Sequence, residues 1–159
     1  MRMISEVASG IVQWTSELRG AHKPVNSYAL FLTDGLVLID PAADLTHDVL
    51  EANGLPDPAC ILVTHVHEEN VAGCANFPGV PVLVPSGDEY LAKGRAAYEK
   101  FLTKWPPPWD WENRGNFQGH IAGAPNERPP ALPLPMEDAL TDGDEIMGLR
   151  VIGTPGHGK

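Results

Sequence analysis

Cys60-Ile61-Leu62-Val63-Thr64-His65-Val66-His67-Glu68-Glu69-Asn70 joins an unbroken apolar run to a cluster of imidazole, carboxylate and amide side chains. An apolar run this short and without alternation reads as a strand buried on both faces. His65 and His67 are two apart, so in extended chain both rings point to the same side. They stand at the strand's C-terminal end, the edge where open α/β layers gather ligands. Zinc takes neutral imidazole nitrogen, and catalytic zinc sites often use three protein ligands plus water. For a spaced pair alone the plain alternative is two exposed loop histidines, because histidine has many structural roles.

The flanking sequence supplies further elements. Residues 27–33 and 36–39 are apolar on both faces and flank Asp34-Gly35, a two-residue hairpin signal; Pro41 stops the second strand. A short helix is expected over 45–53, capped by Asp44 and closed by Gly54. Residues 81–85 form another buried strand, and its alternation with helix-like segments points to parallel crossovers. Ser86-Gly87-Asp88-Glu89 reads as a capping box with Ser86 as N-cap. The helix it opens carries Tyr90, Gly94, Ala97, Phe101 and Trp105 on one face and ends at Pro106-Pro107-Pro108. Residues 106–135 hold eight prolines, which exclude regular structure over most of the segment. With Trp109, Trp111 and Phe117 it is either packed down or a lid over a site. Residues 141–145 read as a turn, and two short strands near 145–147 and 149–152 meet at Gly148.

A third histidine strengthens the metal reading. Gly153-Thr154-Pro155-Gly156-His157-Gly158 follows the last of these strands, and its glycines allow a tight loop that brings the imidazole inward. Two separate strand ends thus each deliver histidine to one edge. His22, His47 and His120 lack such a setting and read as surface or capping residues. Two cysteines are too few for a disulfide scaffold. Cys60 reads as a small buried hydrophobe. Cys74, just after the histidines, keeps a metal-binding or redox module open as a rival.

Composition bounds the rest. A chain of 159 residues with 43% hydrophobic and 20% charged residues is globular and one domain in size. No internal repeat or composition boundary divides it, so residues 1–159 are expected to form a single domain. A net charge of −10 excludes nucleic acid as the main partner and disfavours an anionic membrane surface. No apolar run is long enough for a membrane span. The start lacks the pattern of a secretory signal, so a cytoplasmic location is expected.

The order of these motifs resembles the metallo-β-lactamase superfamily. That family carries His-x-His-x-Asp-His after a buried strand, commonly preceded by threonine, and farther along a Thr-Pro-Gly-His segment. Thr64 to Asn70 and Thr154 to His157 match these in order. The strands ending at Asp40-Pro41 resemble the family's early hairpin, and Asp142-Gly143-Asp144 the turn before its third histidine. The resemblance runs through nearly the whole chain. It implies an α+β fold, part of an αββα sandwich truncated at the C-terminus, so that the single domain is expected to be incomplete and marginally stable. It implies that His65, His67 and His157 hold zinc, and that Glu69, in the place of an aspartate, binds metal or positions the attacking water. Asp40 matches a residue that supports the site without binding metal.

Two departures shape the expectation. Glu69 is one methylene longer than aspartate, and Asn70 replaces a histidine ligand of the second metal with a neutral amide, a poor zinc donor. One zinc ion is therefore expected, with the second position in doubt; Asn70→His should strengthen it. The activity implied is zinc-dependent hydrolysis of an ester, amide, thioester or phosphoester in a small-molecule substrate. The alternative is a non-catalytic, degenerate member or fragment that keeps the fold without hydrolase activity.

Overall fold

The computed structural model describes residues 3–16, 25–94, 96 and 133–154. Among the described residues seven strands form one sheet in sequence order: β1 (Met3–Ala8), β2 (Ile11–Thr15), β3 (Asn26–Leu32), β4 (Gly35–Ile39), β5 (Pro58–Leu62), β6 (Val82–Pro85) and β7 (Met136–Leu140). β1 to β4 pair antiparallel, and β4 to β7 pair parallel. A two-stranded hairpin, β8 (Glu145–Ile146) and β9 (Leu149–Arg150), turns at Met147 and Gly148, both with positive φ. That is the backbone a tight two-residue hairpin requires. β1, β2 and β7 were not anticipated; short strands with mixed polarity, such as Met136–Leu140, carry little periodic signal.

The β3–β4 hairpin forms with its turn displaced by one residue. Leu32 pairs with Gly35, so Thr33 and Asp34 make the turn and Gly35 opens β4 at φ 133°. A Cβ at Gly35 would sit 3.0 Å from the Ala59 side chain on the neighbouring strand. β4 is buried on both faces, as expected, but β3 is not: Ser27 and Ala29 are buried while Phe31 is exposed.

Helix α1 (His47–Ala52) is capped by Thr46, whose side chain accepts from Val49 N–H, not by Asp44. Asp44 instead accepts from the Trp14 indole N–H. At the other end Gly54 N–H bonds to Glu51 O and Leu55 N–H to Leu50 O, a Schellman closure with Gly54 at φ 69°. After β5 come α2 (Glu68–Val71) and a 3₁₀ turn (Ala72–Asn76); after β6 comes α3 (Glu89–Ala92). The expected capping box is replaced by a local bond from Gly87 N–H to the Glu89 carboxylate. Gly94, at φ 86°, lies past the end of α3. The expected continuation over 97–105 and the proline-rich segment 106–132 lie outside the described residues.

The main core occupies one face of the sheet. Leu36, Leu38, Ile61, Val82 and Val84 pack against Leu50, Val66, Val71, Phe77 and Leu91 from the helical side. The opposite face looks into a cleft of about 660 Å³ lined by Leu30, Ile39, Leu62, Ile146, Leu149 and Val151. The hairpin touches that face through Met147, whose sulfur meets the Cys60 thiol at 3.6 Å. Among the described residues no helix is long and apolar enough to cross a membrane.

Candidate metal centre

β5 ends at Leu62, and its last carbonyl is taken by Asp40 N–H, so the ends of β4 and β5 are fastened side by side. The chain then bends. His67 N–H bonds back to His65 O at 3.0 Å, a three-residue turn in place of extended chain. The turn still brings the two imidazoles together: their centroids are 4.5 Å apart, edge to face at 81°. Val66 between them is fully buried in the core, and its N–H is held by the Asp88 carboxylate at 3.0 Å. A strong apolar anchor and one charge-assisted bond thus fix the histidine turn. The sequence offered no sign of the part played by Asp88.

Asp40 is the pivot behind the pair. Its φ of 48° is uncommon outside glycine, and such backbone persists only when its surroundings over-determine it. Here Ser27 Oγ donates to Asp40 O at 2.7 Å and accepts from Ala42 N–H at 2.8 Å. The buried Asp40 carboxylate accepts Thr64 N–H at 2.7 Å on Oδ1, and the Thr64 hydroxyl and Asn70 Nδ2–H on Oδ2. Burial raises the Asp40 pKa; the Thr64 and Asn70 hydrogen bonds and the charge of His65 oppose that rise. The Thr64 oxygen also lies 3.0 Å from His65 Nδ1.

Gly73 lets α2 come this close. Its N–H bonds to Pro41 O at 2.8 Å, and a Cβ there would fall 2.3 Å from Ala42 O. Only glycine permits the approach that sets Asn70 beside Asp40. Glu69, in the first turn of α2, is half-buried, and its Oε2 is buried with no hydrogen-bond partner among the described residues. A carboxylate oxygen in that position calls for a cation, proton or water.

The sequence matches no protein-family model, and no curated protein is significantly similar to it. Solved structures do match in fold. A beta-lactamase domain protein from Burkholderia ambifaria aligns over 90% of this chain and 44% of its own, with 20% identity and a TM-score of 0.54. A metallo-beta-lactamase family protein from Thermus thermophilus aligns over 96% of this chain and 54% of its own, with 25% identity and a TM-score of 0.53. The chain carries the N-terminal portion of the metallo-beta-lactamase fold. It spans about half the length of the solved structures it matches.

Within this metallo-beta-lactamase fold, the structure brings His65 and His67 together at the C-terminal end of a parallel strand. His157 lies outside the described residues, as do His22 and His120. Two nitrogens bound to one zinc at about 2.1 Å stand roughly 3.5 Å apart, and ring centroids 4.5 Å apart put the two imidazoles in the same neighbourhood. As neutral imidazoles the two rings are donors of the kind zinc takes. Among the described residues no three His, Cys, Asp or Glu side chains come together as a metal-holding group, so Glu69 is not gathered beside the two imidazoles. Cys74 belongs to the core: it is 1% exposed, and burial pushes its thiol up to about 12, against the thiolate a metal or redox role needs. His47 is a surface residue, with Nδ1 2.7 Å from Asp57 and its ring edge-on to Phe77.

Proposed function

We propose that this chain is the N-terminal part of a zinc-dependent hydrolase in which His65, His67 and His157 hold one ion. The observation that carries the reading is the His65–His67 pair, fixed at a strand end and backed by Thr64 and Asp40. Zinc, when bound, polarises a carbonyl or phosphoryl oxygen and lowers the pKa of its water toward about 7. The chain's own residues do the rest. Val66 and Asp88 anchor the histidine turn, and Asp40 with Thr64 orients His65. Glu69 is the residue the resemblance assigns to the attacking water; its buried Oε2 has no hydrogen-bond partner among the described residues, but it would have to swing toward the imidazoles to act there. The substrate is a small-molecule ester, amide, thioester or phosphoester, and the setting is cytoplasmic.

Asn70 favours a second reading, a non-catalytic member of the fold, because its amide is turned to Asp40 and adds no metal donor. Metal analysis after dialysis, with hydrolysis of a panel of esters and thioesters, separates the two. The hydrolase reading expects one retained zinc, loss of most of it in His67→Ala, and turnover that falls in Glu69→Gln with zinc kept. Zinc retained without turnover on any substrate supports the non-catalytic reading. Two equally tight ions would refute the single-ion assignment.

A further inference from the structure

Asn70 stands where the resemblance expects a metal ligand, yet its side chain donates to Asp40 Oδ2 at 3.0 Å. We propose that Asn70 is a positioning residue that fixes the tautomer of His65 through Asp40 and Thr64. The donors can be counted. The Thr64 hydroxyl has one hydrogen, and Asp40 Oδ2, an acceptor, takes it. The Thr64 oxygen is then left with lone pairs toward His65 Nδ1, 3.0 Å away, and accepts the Nδ1–H. His65 is thereby the Nδ1–H tautomer, with the lone pair on Nε2, the nitrogen form that zinc takes. The Asp40 carboxylate must stay in place for this relay to hold. Thr64 N–H fastens Oδ1, and Asn70 supplies the N–H that fastens Oδ2 alongside the hydroxyl. Asn70 is itself located by its N–H to His67 O at 3.0 Å and by the Gly73–Pro41 bond three residues on. The residue that departs from the family pattern thus supports the first metal position.

The affinity arm of the test rests on the zinc reading above; the tautomer arm does not. In the metal-free 159-residue chain labelled with ¹⁵N-histidine, long-range ¹H–¹⁵N correlation above the histidine titration range reads the His65 tautomer directly. The unmodified chain should show Nδ1–H. Thr64→Val should move His65 toward Nε2–H, Thr64→Ser should restore Nδ1–H, and Asn70→Ala should give a partial shift. Zinc affinity, measured by chelator competition, should weaken about 10-fold in Asn70→Ala and about 10- to 100-fold in Thr64→Val. If Asn70→Ala fails to fold, Asn70→Gln, which displaces the amide by one methylene, reads the same shift. His65 found as Nε2–H in the unmodified chain overturns the proposal. So does a folded Asn70→Ala or Asn70→Gln with tautomer and zinc affinity unchanged. A chain that binds no zinc but shows the expected tautomer shifts sinks the zinc reading and keeps the positioning role.

Discussion

The two faces of the seven-stranded sheet differ in what covers them. On one, Leu36, Leu38, Ile61, Val82 and Val84 meet Leu50, Val66, Val71, Phe77 and Leu91, all of them buried, and Phe77 is 0% exposed. On the other, the β8–β9 hairpin covers part of an apolar cleft, Leu149 stays half-buried, and Ile152 is 73% exposed. The histidine turn lies where the strands end, with Val66 rooted in the first face and His65 and Thr64 on the rim of the second. Stability is therefore concentrated on one side, and the histidine turn lies at its border with the other. The contrast predicts a large asymmetry. Phe77→Ala should cost about 3–5 kcal/mol, enough to unfold a marginal domain, whereas Leu149→Ala should cost about 1 kcal/mol. Urea denaturation of both variants measures this. Equal costs would mean that the hairpin face carries as much packing as the helical one.

The next test sits on the border itself. Gly73→Ala drives a methyl group toward Ala42 O and Pro41 O, both backbone atoms that cannot rotate away. The expected loss is about 3 kcal/mol, and α2 should retreat from the Asp40 loop. Zinc affinity should fall with it, because Asn70 retreats too. A Gly73→Ala chain of unchanged stability would show that this loop adapts, and that the close approach is not required.

The metal count gives a subtler comparison, between the two ions the family pattern would hold. Asn70→His adds an imidazole donor and removes the amide that fastens Asp40. A second ion should bind more tightly than in the unmodified chain, while the first weakens several-fold; titration with a chelator series separates the two. Strengthening of both would show that the Asn70–Asp40 bond is dispensable.

The parts of this molecule visible in its sequence are those with a strong local rule. The β3–β4 hairpin, the buried strands β5 and β6, the β8–β9 turn and the proximity of His65 to His67 all follow from apolar runs and turn residues. What stayed hidden depends on contacts between distant segments. Asp88 is 22 residues from the Val66 N–H that it holds, Asp40 is 30 from Asn70, and Gly73 matters only because Pro41 and Ala42 approach it. α1 starts at His47, two residues later than expected, so Thr46 caps it, while Asp44 accepts from Trp14 on β2. Even the closeness of the two histidine rings comes by a different route, a closed turn in place of extended chain.

The smallest expected effect belongs to the hairpin side. Asp144 Oδ2 accepts Thr141 N–H at 2.7 Å and the Thr141 hydroxyl at 2.9 Å, closing the turn that leads into β8. The backbone bond first, then the hydroxyl, hold the Asp144 carboxyl below its usual pKa. The sign follows from linkage. The folded chain holds this proton less tightly than the unfolded one, so the turn's contribution is fully present above the ordinary aspartate pKa. It is lost as pH falls through the lower folded value. Carboxyl-detected NMR titration should place Asp144 below an unperturbed aspartate, and Thr141→Val should bring it part of the way back while leaving the backbone bond. Because the group lies at the surface, the change in overall stability should be slight, and the β8–β9 amides alone should register it. A Thr141→Val chain whose acid unfolding moved as a whole would show that this turn is coupled to the sheet more tightly than the cleft between them suggests.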